Sequence, residues 1–80
     1  GILALAAADA TAGGSVAEIE AQAAKSLLKA GFAKVDYVAI RQADSLATFD
    51  GDRVNRPGRI LAAAWLGKTR LIDNMTVPAG

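Results

Sequence analysis

Gly67-Lys68-Thr69 places a glycine, a lysine and a hydroxyl in the order that closes a phosphate-binding loop. The full motif needs a further glycine at position 62, where Ala62 stands. It must also open a helix whose first amides hold the phosphate, whereas Thr69-Arg70-Leu71-Ile72 has strand character, so a hairpin turn is the favoured reading. Asp73-Asn74 pairs an acid with an amide near the end of that strand. Short polar side chains in such places more often satisfy neighbouring backbone groups than touch a substrate. Arg70 has two uses, to stack on Trp65 across the hairpin or to reach an anion brought by another domain; stacking is favoured because it needs no partner. Asp50 and Asp52 flank Gly51 as at the start of a calcium loop. Arg53 and Arg56 oppose a cation there and no glutamate closes the loop, which leaves a solvated turn and no metal site. Ser15, Ser26 and Ser45 are the only serines, and the chain has no histidine and no cysteine. No Ser-His or Cys-His pair can be assembled, so the serines are expected in capping and surface roles and no catalytic residue is assigned.

The elements that must position these residues belong to a small body. Eighty residues make one domain, residues 1–80, with only marginal stability of its own. Apolar residues are 52% of the chain, yet many are alanine and only Phe32, Tyr37, Phe49 and Trp65 are aromatic, so the core is built from small pieces. Nine basic against eight acidic side chains leave a net charge of +1, which carries neither a nucleic-acid footprint nor a membrane anchor. The absence of cysteine fits a reducing cytoplasm. Gly1 to Ala8 is apolar but lacks the basic flank of a signal peptide and the length of a spanning helix. Gly1 reads as a cut into a longer protein, although a tag or processing scar has the same look.

Helix propensity is high from Ile2 to Ala8, as in the tail of a helix begun upstream, and Ala12-Gly13-Gly14 ends it. Ser15-Val16-Ala17-Glu18 is a capping box that starts a second helix. Val16, Ile19, Ala23, Leu27 and Ala30 form its apolar stripe, widened by Ala24 and Leu28, and Gly31 ends it. From Phe32 the period changes: Val35, Tyr37, Ala39 and Arg41 alternate with Lys34, Asp36, Val38 and Ile40, which predicts a strand over 35–41. Ala43 to Phe49 predicts a helical turn, and Asp50 to Gly58 a polar connection mobile at its tip. Ile60 to Leu66 is apolar without alternation, which suits a central strand and leaves a short helix as the rival. Gly67-Lys68 favours the strand, because glycine first in a two-residue loop suits a type II′ hairpin. The register that follows pairs Leu66 with Thr69, Trp65 with Arg70, Ala64 with Leu71, Ala63 with Ile72 and Ala62 with Asp73.

The fold class is therefore α+β: helices near 2–11 and 15–30 packed on a small three-stranded antiparallel sheet, with strands near 35–41, 59–66 and 69–76 and the last two a β-hairpin. The apolar helix stripe must cover one sheet face, and Leu28, Phe32, Tyr37, Ile60 and Leu71 are the expected core contacts.

Ala64-Trp65-Leu66-Gly67-Lys68-Thr69-Arg70-Leu71-Ile72-Asp73-Asn74 resembles the A-[RW]-x-G-x-x-R-L-I-D-N end of the pantothenate synthetase (pantoate–β-alanine ligase) family. Gly31-Phe32, Val35-Asp36-Tyr37-Val38 and Arg41-Gln42-Ala43-Asp44-Ser45-Leu46 resemble an earlier segment of the same family, in order and spacing, so the likeness spans roughly 15–77. It implies a C-terminal lid domain of a cytoplasmic, homodimeric enzyme of coenzyme A biosynthesis. That enzyme condenses pantoate with β-alanine through a pantoyl adenylate, using ATP and Mg2+. The family's histidine motif and Lys/Ser/Arg catalytic segment belong to the N-terminal nucleotide-binding domain or the junction, and this sequence has neither. The resemblance thus implies no catalytic or cofactor-binding residue here, a fragment that is inactive and binds no ATP by itself, and at most Arg70 as a lid contact. The alternative is a self-standing α+β interaction module without catalysis. An upstream histidine-containing nucleotide motif in the reading frame would select the lid, and a nearby start codon the module.

Overall fold

Two antiparallel strands meet at Gly67-Lys68, where Gly67 has φ +61 and Lys68 does not join Leu46 and Asp52 as a non-glycine residue of positive φ. That combination is the type II′ geometry, whose twist matches the strands it joins. In the computed structural model, which describes residues 1–79, the elements are α1 (Ile2–Thr11), α2 (Val16–Lys29), β1 (Lys34–Gln42), a single 3-10 turn at Asp50–Asp52, β2 (Gly58–Leu66) and β3 (Thr69–Val77). The sheet is antiparallel in the order β1-β2-β3, and the hairpin register is the one expected, from Leu66 opposite Thr69 to Ala62 opposite Asp73. The α+β class and the central place of β2 hold, and the rival helix over 60–66 does not form.

Pairing also assigns the faces. Val35, Val38 and Ile40 of β1 lie opposite Ala64, Ala62 and Ile60, which in turn lie opposite Leu71, Asp73 and Met75. These share the face that α1 and α2 cover. Tyr37, Ala39 and Arg41 lie opposite Ala63, Leu61 and Arg59, on the face no helix covers. The core sits at the end of the covered face away from the hairpin, where Ala10, Ile40, Ile60 and Val77 are wholly buried beside Val16, Ile19, Phe49 and Val54. Alanine at 6, 7 and 10 lets α1 approach closely.

Three expected core contacts are corrected. Tyr37 is 40% exposed, because the register shifts between Val35 and Tyr37: Asp36 is an extra residue, so strict alternation fails there and Tyr37 turns to the open face. Leu28 is 50% exposed, since the buried stripe is Val16, Ile19, Ala23 and Leu27, and the next residue lies about 100° around the helix. Leu71 has the expected face but is 44% exposed, because nothing reaches over it. Phe32 is half-buried and Ile60 fully buried.

The connection between β1 and β2 also differs from expectation. The predicted helical turn over 43–49 shrinks to one closure, Leu46 N–H to the Gln42 carbonyl at 2.9 Å, ended by Leu46 at φ +61. The 3-10 turn comes later, and its Asp52 ties the loop down. Ser15 Oγ donates to Asp52 Oδ2, and the Ala17 amide donates to Asp52 Oδ1 at 3.0 Å. Ser15 Oγ itself accepts from the Glu18 amide at 3.2 Å, as a cap should. Asp52 accepts from the Ser15 hydroxyl and the free Ala17 amide of the first turn, so the start of α2 is closed from across the sequence.

Candidate functional site

The open face of the sheet gathers the chain's chemistry-bearing residues at its hairpin end. Lys34, Trp65 and Arg70 stand opposite one another on β1, β2 and β3. The extra residue at Asp36 brings a carboxylate among them. Its Oδ2 accepts from Arg70 Nε at 2.9 Å and from Trp65 Nε1 at 3.1 Å, and Lys34 Nζ lies 3.6 Å from Oδ1. The Arg70 guanidinium beside Asp36 holds its carboxyl below the usual value, helped by the indole N–H and by Lys34. One carboxylate thus joins all three strands. The side chain of Arg70 stays 39% exposed, and its terminal nitrogens meet no acceptor among the described residues.

The expectation of Trp65 and Arg70 as cross-strand neighbours is met, but Asp36, missed as a site residue, is where they converge. Asp73 Oδ1 accepts from the Asn74 amide at 2.8 Å, the backbone role that was favoured for it. Asn74 Oδ1 accepts from Arg59 Nη1 at 2.5 Å, further along the same open face. So Arg70 and Asn74 of the R-L-I-D-N run each fasten the sheet's open face, while Leu71 and Asp73 lie on the covered side. Asp50 and Asp52 do not act as a pair, since Asp52 serves α2, and its carboxyl is held low by Ser15 Oγ and then by the Ala17 amide. Ser26 accepts from Gln22, and Ser45 from the Ala47 amide. On the far edge, Glu20 of α2 accepts from the Ile40 amide at 2.8 Å and lies 3.5 Å from Arg41.

Gly67-Lys68-Thr69 does not form a phosphate-binding loop. Gly67 and Lys68 turn directly into β3, so no helix terminus presents amides to a phosphate there. Among the described residues, no three or more carboxylates come together as a metal site would need. No helix among them is long and apolar enough to cross a membrane. Concavities among the described residues include an open groove of about 670 Å³ between α1 and α2, and a smaller apolar one of about 360 Å³ where the start of α1 meets Phe32, Leu71 and Met75. What the geometry offers is a sheet braced by Asp36, with the Arg70 guanidinium part-exposed on its open face.

The profile of the family described as Pantoate-beta-alanine ligase matches residues 2–76. The chain belongs to that family of ligases. Its relatives include the pantothenate synthetase of Mesorhizobium japonicum, 51% identical over 77 residues that make up 96% of this chain and 26% of the relative. That of Caulobacter vibrioides is 51% identical over 73 residues, 90% of this chain and 26% of the relative. The Paramagnetospirillum magneticum protein is 54% identical over 66 residues, 82% of this chain and 22% of its own length. The chain therefore spans about a quarter of the relatives it matches.

Proposed function

We infer that residues 1–80 are the C-terminal lid domain of a pantoate–β-alanine ligase, which adenylates pantoate with ATP and Mg2+ and passes the acyl group to the β-alanine amine. The observation that carries this reading is a pairing: near-complete coverage of the chain by the family, and coverage of only 26% of a relative by the chain. The residues that would hold a triphosphate and activate pantoate then belong to the N-terminal nucleotide-binding domain, and this segment alone is catalytically silent. Its part is closure. Excluding water protects an acyl adenylate from hydrolysis and strengthens the electrostatics around it. The open face supports that role, since the Asp36 bridge holds Trp65 and Arg70 in place and leaves the terminal nitrogens of Arg70 for an anion. The full-length enzyme is a cytoplasmic homodimer in this reading, and its pathway leads to coenzyme A.

Titration calorimetry of the 80-residue chain with Mg-ATP tests the silence of the segment. No heat of binding is expected. Micromolar affinity would instead make it an autonomous nucleotide site and remove the reason to assign it as a lid.

A further inference from the structure

We propose that Arg70 and Lys34 form a binding site on the open face of the sheet for a carboxylate carried on a short apolar body. The site uses the Arg70 nitrogens that the lid reading leaves for an anion, but it is read from this chain alone. Charge is the first ground for it. Among the described residues, Glu20 and Asp52 each face one cation, Arg41 and Arg53, whereas Asp36 is shared by Lys34 and Arg70. Two cations on one carboxylate leave a positive charge unanswered, and the Lys34 side chain is 72% exposed.

Geometry narrows the anion. Asp36 Oδ2 accepts from Nε of Arg70, and the indole N–H of Trp65 donates to the same oxygen. Held at Nε, the guanidinium is fixed across the sheet, and its two terminal nitrogens meet no acceptor among the described residues. They make a planar fork whose parallel N–H bonds match the two oxygens of a carboxylate. Because the fork is set before a ligand arrives, less ordering is left for binding to offset. A phosphate also accepts such a fork. Phosphate sites gain further donors from backbone amides at a helix start, however, and Lys34, Trp65 and Arg70 all stand on strands.

The neighbouring row of the same face supplies the apolar contact. Tyr37, Ala63 and Ile72 lie opposite one another on the three strands, next to Lys34, Trp65 and Arg70. Ile72 is 65% exposed and Tyr37 40%, so this row offers carbon surface to a ligand. Arg70 and Ile72 are alternate residues of β3, which puts their side chains on one face about 7 Å apart. A short branched aliphatic acid reaches from the fork to Ile72, with its charge on Arg70 and Lys34 and its carbon on the apolar row.

Modification of arginine by phenylglyoxal, followed by peptide mass, tests the site in the unmutated 80-residue chain. Arg53, exposed on the connection, is the internal reference. At saturating isovalerate, Arg70 is expected to react about threefold or more slowly than in chloride of the same ionic strength, with Arg53 unchanged. Acetate lacks the apolar body and should need about fourfold or more concentration for the same protection, the worth of one buried methylene. Lys34→Gln, a change at an exposed side chain, should raise the isovalerate needed by about two- to fivefold. Equal rates for Arg70 in isovalerate and chloride overturn the proposal, and so does protection by inorganic phosphate at a lower concentration than isovalerate. Acetate as effective as isovalerate overturns the apolar contact, and an unaltered requirement in Lys34→Gln overturns the place of Lys34. Loss of the carboxylate site leaves the lid reading standing, since that reading falls instead on tight Mg-ATP binding by this chain or on an upstream sequence without a nucleotide-binding domain.

Discussion

Ile60 and Leu71 lie on the same face of one hairpin, yet Ile60 is fully buried and Leu71 is 44% exposed. Ile60 belongs to one buried cluster with Ile40, with Val16 and Ile19 of α2, with Phe49 and Val54 of the connection, and with Val77 at the end of β3. Leu71 instead borders an open apolar groove, lined by Ala62 and Ala64 together with Ile2, Leu27, Phe32 and Met75. The chain completes its core at one end of the sheet and leaves the other end open. The lid proposed above would use that asymmetry, holding its own shape at one end and joining its enzyme at the other.

The largest effect is expected at the sealed end. Ile60→Ala in the full-length protein should remove about 2–5 kcal/mol of stability by chemical denaturation, as for other fully buried large residues. A loss no greater than that of exposed Leu46→Ala would mean that the sealed end is not the core. Gly58→Ala comes next. A Cβ there would meet the Arg41 carbonyl at 3.1 Å and the Phe49 ring at 3.1 and 3.3 Å, and the carbonyl sits on the paired strand and cannot step aside. Overpacking of this kind should cost about 1–3 kcal/mol, read as a lowered denaturation midpoint at unchanged slope. Ser15→Ala should cost about 0.5–2 kcal/mol, the usual range for a lost N-cap, and the same variant frees Asp52 from its hydroxyl partner. Faster amide exchange at Ala17 and Glu18 is the local signature to seek.

The smallest effect is in acid. Asp36 is held below the ordinary value of 3.8 by Arg70 first and Trp65 second, and Asp52 by Ser15 first and Ala17 second. A carboxylate whose folded pKa is depressed takes up its proton more readily in the unfolded chain. It therefore contributes fully above 3.8, and the contribution is lost as pH falls below 3.8 through the folded value. Asp36→Asn should flatten that acid slope, measured as denaturation midpoint against pH. An unchanged slope would mean that the Asp36 bridge does not form in solution.

What could be read from the sequence divides along the same line between local and distant causes. The hairpin register was legible because Gly67-Lys68 defines it over a few residues, and β2 was legible as central because Ile60 to Leu66 does not alternate. The bulge at Asp36 was not, since the alternation through 34–41 looks regular until the pairing with β2 is seen. Asp52 reaches Ser15 from a sequence separation of 37, and no local pattern announces that bond. Leu27 and Leu28 are adjacent, and only the phase of α2 against the sheet decides which is buried. Of the candidate site, Arg70 and Trp65 could be named from hairpin pairing, while the carboxylate that joins them could not.

Whether this sheet closes over a reactive acyl adenylate is tested most directly by Arg70→Ala in the full-length enzyme. With ATP, pantoate and β-alanine supplied, AMP and pantothenate are counted together, and circular dichroism confirms that the variant is folded. Closure by this face predicts more AMP than pantothenate, because adenylate escapes to hydrolysis, together with a lower turnover. Equal amounts of the two products at unaltered turnover, with the fold intact, would make Arg70 a brace of the sheet and contradict its place on the closing surface.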